Sequence, residues 1–275
     1  MSKRSILLRA KQSPLVMGIL NVTPDSFSDG GDFFLPEKAL KQGLNMVTEG
    51  ADIIDVGGES TRPDASPVSV QQELDRVLPV IQALHAESSV TISIDTSKPE
   101  VMRAAVAAGA GLINDVRALQ MSGTVQTAAE ADVPVCLMHM QGQPDTMQKQ
   151  PHYENVLEEV KSFLLQRIAC CEAAGIKRDH IIVDPGFGFG KSLKHNLSIM
   201  KHVHEICAIG LPVLVGVSRK SMIGDVLNVS AKERLAGSLA LASLAVWQGC
   251  SILRAHDVRA TVDAVKMMAA VIRSQ

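Results

Sequence analysis

The chain has 275 residues, of which 46% are apolar, 20% charged and 3% aromatic, and 27 Lys and Arg stand against 29 Asp and Glu for a formal net charge of −2. That apolar fraction excludes a disordered chain, and the length suits one large domain with a full core. Near-neutral charge without a basic block, together with only eight aromatic residues, argues against a nucleic-acid groove or base-stacking platform, so no nucleic-acid partner is expected.

In chain order, the first residues carry charges but no long apolar run of the signal-peptide kind. Eight short, nearly continuous apolar runs then follow at Leu15–Leu20, Asp52–Val56, Val90–Ile94, Leu112–Val116, Pro134–Met138, His180–Val183, Pro212–Val217 and Ser251–Ala255. Continuous rather than alternating apolar character is what strands covered on both faces require. Between them lie helical patterns, such as Leu40, Leu44, Val47 and Ala51, or Leu157, Val160, Leu164 and Ile168. For the helix after strand three, Thr96 or Ser97 is the expected cap, Pro99 suits the first turn and Gly109 the exit.

The apolar stretch Leu235–Trp247 is broken by Gly237, Ser238 and Ser243 and falls short of the ~20 residues that span a bilayer, so no membrane partner is expected. None of Cys136, Cys170, Cys171, Cys207 and Cys250 forms a C-x-x-C pair, which reads as buried reduced thiols in a cytoplasmic protein. Eight strands alternating with helices in 275 residues give the arithmetic of a single-domain (β/α)8 TIM barrel spanning residues 1–275, with a doubly wound open sheet as the alternative.

Polar residues gather where these strands end: Asn21, the run Glu59-Ser60-Thr61-Arg62, Asp95, Asn114 with Asp115, His139, Asp184, Ser218-Arg219-Lys220, and Arg254 with His256. In a barrel all eight C-terminal ends meet on one face. Asp95, Asn114 and Asp184 are acceptors suited to a ligand edge rich in N–H donors. Arg62, Lys220, Arg254 and His256 suit a phosphate or diphosphate. Asn21 and Asp29 offer oxygens to Mg2+, which takes few protein oxygens plus ligand phosphates. The site should therefore hold a polar heterocycle with an anionic arm.

Two loops rich in turn-forming residues, at about 21–36 and 57–68, are expected to act as mobile lids. The glycine-rich run Asp184–Ser192 is no Walker loop, because Pro185 stands where the first Gly is needed; its glycines should let the backbone turn closely beside a flat ligand. Five of the eight aromatics, Phe27, Phe33, Phe34, Phe187 and Phe189, fall in two glycine-rich loops beside the polar ring, where flat substrates should bind. His202 and His204 lie in a helical stretch and point to different sides, a surface arrangement.

The motifs Asn21-x-Thr-x-Asp-Ser-Phe-Ser-Asp-Gly-Gly, Gly57-Gly-Glu-Ser-Thr-Arg-Pro63, Asp184-Pro-Gly-Phe-Gly-Phe-Gly-Lys191, Ser218-Arg-Lys-Ser221 and Arg254-x-His256-Asp257 run in order along the chain. Together they resemble dihydropteroate synthase. The resemblance implies a homodimeric (β/α)8 barrel that condenses 4-aminobenzoate with (7,8-dihydropterin-6-yl)methyl diphosphate, with Mg2+, in folate biosynthesis, the step that sulfonamides target. Carried over by motif, it implies pterin contacts from Asp95, Asn114, Met138, Asp184, Phe189, Lys220 and Arg254. Diphosphate contacts would come from Asn21, Thr61, Arg62, Arg254 and His256. Phe27, Thr61, Pro63, Phe189, Ser218 and Lys220 would surround the aminobenzoate, and Asn21 and Asp29 would hold the metal. Asp29, Asp95, Lys220 and Arg254 are the expected catalytic groups.

No side-chain nucleophile is advertised, in keeping with an arylamine that attacks after diphosphate leaves. One departure is Asp64, where the family commonly has Gly, which bears on the aminobenzoate edge and on sulfonamide sensitivity. The competing readings are a corrinoid-linked methyltetrahydrofolate methyltransferase, which would not need the Ser-Arg-Lys and Arg-x-His groups, and a non-catalytic pterin-binding paralogue, which would have lost Asn21, Asp25, Phe27 and Asp29.

Overall fold

The computed structural model describes residues 5–23, 35–60, 68–142 and 151–274. Eight strands, β1 Leu15–Asn21, β2 Ile53–Gly57, β3 Thr91–Asp95, β4 Leu112–Asp115, β5 Val135–Met138, β6 Ile181–Asp184, β7 Leu214–Val215 and β8 Ile252–Ala255, form one sheet. Its order is β6-β5-β4-β3-β2-β1-β8-β7, and every neighbouring pair is parallel. A parallel bridge from Val183 to Val213 joins the two ends of that order, so the sheet closes into a barrel.

The helices among the described residues are α1 Ser5–Gln12, α2 Leu35–Thr48, α3 Val70–Glu87, α4 Pro99–Ala107, α5 Thr124–Ala131, α6 Val156–Ala173, α7 Leu193–Lys201, α8 Val203–Cys207, α9 Ser221–Leu227, α10 Leu235–Trp247 and α11 Val258–Arg273. The architecture is the (β/α)8 barrel expected from the alternation of runs and periodic segments. Each strand lies within one or two residues of its expected position except β7, which is far shorter than Pro212–Val217. Pro212 has no N–H to give the ladder, so only the bridge at Val213 precedes the two paired residues.

Strand side chains alternate with period two, and this sorts the core into two compartments. Leu15, Met17, Ile53, Leu112, Cys136, Ile182, Leu214 and Ile252 face inward and pack with Ile6, Leu7 and Ala10 of α1, which covers the N-terminal mouth of the barrel. Neighbours of opposite parity, among them Val16, Leu20, Ile54, Val56, Ile94, Ile113, Leu137, Val183 and Leu253, face outward into the helical layer. Counting two or four residues onward from the inner set gives Asn21, Asp55, Asn114, Met138, Asp184 and Arg254. The barrel interior is thus aliphatic at its lower end and polar at its upper end.

One expected cap is displaced. Lys98, not Thr96 or Ser97, occupies the N-cap of α4 and makes no side-chain cap bond. The Ser97 hydroxyl donates to Asp115 Oδ1 and Thr96 Oγ1 accepts from the Lys98 N–H, so both side chains are already engaged. Pro99 opens the helix as expected, and Gly109 follows its C-cap at φ 120°.

Candidate active site

The polar upper end is organised around Arg254. Its Nε donates to Asp55 Oδ2 at 2.7 Å and its Nη2 to Asp95 Oδ2 at 2.9 Å, while Asn114 Nδ2 donates to the same Asp55 oxygen at 3.0 Å. Strands β2, β3 and β8 thereby meet at one guanidinium, and β4 joins the cluster through Asp55. Asp55 is 0% exposed, and its Oδ1 has no hydrogen-bond partner among the described residues. Burial and the neighbouring charge of Asp55 together raise the Asp95 carboxyl to about 7, against the opposing pull of Arg254. For Arg254, burial opposes the charge and the two carboxylates outweigh it, so the guanidinium is held charged.

Asp184, at the end of β6, accepts from the Gly186 N–H at 2.7 Å. Burial raises its carboxyl, with Lys220 the first group to oppose the shift. Lys220 precedes α9, donates its ammonium to the Phe187 carbonyl, and lies 4.6 Å from the centroid of the Phe189 ring. Burial lowers its amine to about 8, Asp184 pulling the other way and Arg254 adding to the fall. Acceptor and donor therefore stand opposite each other beside an aromatic face.

The run 184–191 owes its shape to Lys191. This buried ammonium donates to Gly186 O at 2.8 Å and Phe189 O at 2.9 Å, and meets His139 Nδ1 at 2.9 Å. Burial, then the charge of Lys191, lowers His139 to about 3, which keeps the ring neutral and able to accept. At Gly186, φ is +69° and a Cβ would sit 1.9 Å from the His139 carbonyl oxygen; at Gly190 the nearest atom would be Gln141 O at 2.4 Å. At Gly186 and Gly190 the close neighbour that requires glycine is therefore the segment leaving β5, while a Cβ at Gly188 would meet the Lys220 side chain at 3.3 Å. Gly186→Ala should cost about 3 kcal/mol or more in a denaturant titration, from backbone strain plus a clash with main chain. Gly210→Ala, also at positive φ but with nothing within 4 Å, should cost only about 1 kcal/mol.

At the remaining strand ends, Asn21 closes β1 beside Gly57, where a Cβ would lie 3.5 Å from Asp95 Cβ and 3.9 Å from Asn21 Oδ1. Met138 ends β5 in register with Asp184. The His256 N–H donates to Ser218 Oγ at 3.1 Å, and His256 Nδ1 lies 3.2 Å from the same oxygen. Asn21 thus offers one oxygen to a cation, and among the described residues no group of three His, Cys, Asp or Glu could hold a metal. A single carbonyl oxygen fits Mg2+, which keeps waters and phosphate oxygens as its other ligands. Phe27, Asp29, Thr61, Arg62 and Pro63, and most of the two expected lids, lie outside the described residues.

Residues 17–256 match the family model for the pterin binding enzymes. Over 262 residues the chain is 53% identical to the dihydropteroate synthase of Escherichia coli K12, covering 95% of this chain and 93% of that protein. The chain belongs to the dihydropteroate synthase family. The family resemblance found in the motifs therefore holds over nearly the whole chain, and with it the assignment as a transferase. Among solved structures, a Yersinia pestis dihydropteroate synthase with a sulfonamide drug complex superposes with a TM-score of 0.92 at 49% identity, covering 96% of each chain. A Xanthomonas albilineans dihydropteroate synthase in complex with 7,8-dihydropteroate gives 0.88 at 48% identity, over 96% of this chain and 95% of that one.

Within this dihydropteroate synthase barrel, some conspicuous polar residues have structural work. Asp115 turns its carboxylate to Ser97 and to the N–H groups of Arg117 and Leu119, capping the turn after β4. Glu59 takes the Lys98 ammonium at 2.6 Å and the Val68 N–H at 3.0 Å; Lys98 also binds the fully buried Glu73. Phe187 is 0% exposed and belongs to the core, so of the two aromatics in the 184–191 run only Phe189 can face a ligand. Cys170 is exposed, unlike the buried thiol expected. His204 is on the surface, bonded to Gln248, as its helical setting implied.

Asp55 is the site residue that the motifs missed. It falls inside an apolar strand rather than after it. The signal was present in period two, because Asp55 shares parity with the inward-facing Ile53 and Gly57.

Proposed function

We propose that the chain joins 4-aminobenzoate to (7,8-dihydropterin-6-yl)methyl diphosphate by departure of diphosphate and attack of the arylamine. The observation that carries this reading is the cluster at the top of the barrel: acceptors Asp95, Asn114 and Asp184 converge with the cations Arg254 and Lys220. Asp95, Asn114 and Asp184 accept from the N–H edge of the pterin, Met138 and Phe189 line its faces, and Lys220 fixes its far side. Positive charge that develops on the pterin as diphosphate leaves is stabilised by the two carboxylates. Arg254, Asn21, Thr61, Arg62 and His256 hold the diphosphate. Phe27, Thr61, Pro63, Phe189, Ser218 and Lys220 surround the aminobenzoate, whose amine needs no side-chain nucleophile to help it.

Asn21 and Asp29 would hold Mg2+, which when bound neutralises charge on the departing diphosphate. The chain acts as a single domain over residues 1–275, with the loops at about 21–36 and 57–68 covering the site. It works in the cytoplasm, in keeping with free thiols at all five cysteines. Among the described residues no helix is long and apolar enough to cross a membrane. A homodimer is supported by Val226, Leu227, Leu235, Leu244 and Trp247, large apolar side chains exposed on α9 and α10. Diphosphate should appear only when both substrates and Mg2+ are mixed with the protein. Release at the same rate without 4-aminobenzoate would overturn the reading.

A further inference from the structure

Outside the polar ring, two cysteines from distant parts of the chain meet. Cys207 ends α8, and Cys250 follows α10 two residues before β8 begins. Their sulfurs are 3.8 Å apart, though 43 residues separate them in sequence. Cys250 is buried and Cys207 is partly exposed. No other cysteine pair is placed this way: Cys136 lies inside the barrel, and Cys170 and Cys171 are consecutive in one helix.

We propose that Cys207 and Cys250 form a peroxide-oxidisable dithiol that closes to an intramolecular disulfide. The partly exposed Cys207 is the sulfur an oxidant reaches, and Cys250, held against it, is the resolving thiol. The contact with Cys250 lowers the Cys207 pKa, which favours the thiolate there. In the first step the Cys207 thiolate attacks a peroxide oxygen, the O–O bond breaks, and a sulfenic acid forms with release of water or alcohol. In the second the Cys250 sulfur attacks the sulfenic sulfur, the S–O bond breaks, and water leaves as the disulfide forms. Overall two thiols and one hydrogen peroxide give one disulfide and two waters. Bringing the sulfurs from 3.8 Å to bonding distance needs about 1.8 Å of approach.

The test treats the native full-length protein with hydrogen peroxide, blocks remaining thiols, and reads the mass before and after reduction. The expected result is two fewer blocked thiols than in the untreated protein, and a gain of about 2 Da on reduction with dithiothreitol. Tryptic peptides His202–Arg219 and Leu235–Arg254 should be recovered as one cross-linked species. Cys207→Ser should give neither the cross-link nor the mass gain on reduction, and Cys250→Ala should leave Cys207 as a trappable sulfenic acid. Because peptide mapping of the wild-type protein stands alone, a poorly folding variant does not decide the matter. Cross-links through Cys136, Cys170 or Cys171 instead, or separate over-oxidation of Cys207 with Cys250 still free, would overturn the proposal.

Discussion

Replacing Arg254 by Met should abolish turnover while also weakening the fold, the largest loss expected from any single change in this barrel. The guanidinium is the only group that hydrogen-bonds both Asp55 and Asp95 among the described residues. Removing one partner of a buried ion pair leaves charge uncompensated and costs about 3–5 kcal/mol. The relief open to the protein is protonation. Without the cation that now opposes it, Asp95 should rise further above 7 and be neutral at physiological pH. A neutral acid is a poorer acceptor for the pterin edge, and the diphosphate loses its central cation as well. Loss of one preorganised electrostatic group costs about 100- to 1000-fold in rate, so the two losses together should exceed 1000-fold in kcat/KM. Arg254→Lys should recover little, because a point charge cannot reproduce the fork that meets two carboxylates. Steady-state kinetics and urea unfolding on the same preparations check both halves, and a variant within ten-fold of the wild type would remove Arg254 from the centre of the site.

The second large effect is on pH dependence. Asp95 titrates near 7, raised first by burial and then by Asp55. Binding of the pterin substrate by the wild-type protein should therefore weaken as pH falls through 7, as the carboxylate takes up a proton. Asp55→Asn removes the negative charge and leaves the shape nearly unchanged. With that repulsion gone the ionised form of Asp95 is easier to reach, so its pKa falls toward the ordinary 3.8 and the acid limb moves to lower pH. Turnover at the optimum should still drop, since Asp55 also holds Arg254 and Asn114. An acid limb that stays at the same pH in Asp55→Asn would assign it to another group.

Both predictions turn on a residue absent from the motif reading, which shows where sequence was informative. Parallel strands buried on both faces announce themselves as continuous apolar runs, so seven of the eight strands were legible to within one or two residues. Asp95, Asn114, Asp184 and Arg254 were legible because each breaks such a run at the end where a barrel gathers its chemistry. Asp55 sits one turn of the pleat lower, flanked by Ile54 and Val56, and looks like an interruption. Only its three-dimensional partner, brought in from β8, explains why a carboxylate can be buried there.

Other misreadings have the same origin. Ser97 is a good capping residue whose hydroxyl is claimed by Asp115 from β4, and Phe187 is a loop aromatic that the Lys191 knot turns into the core. For Ser97 a partner from another strand decided the outcome, and for Phe187 the buried Lys191 of its own run did.

We propose that the Arg254 cluster and Asp184 read the pterin while Ser218 and Phe189 border the aminobenzoate. A crystal structure of this protein with a pterin and 4-aminobenzoate bound tests it most directly. The pterin N–H edge should lie within hydrogen-bond reach of Asp95, Asn114 and Asp184, with Arg254 against the ring and Lys220 at its opposite side. A pterin seated away from these strand ends, or bound with Asp95 and Asp184 both out of contact, would contradict it.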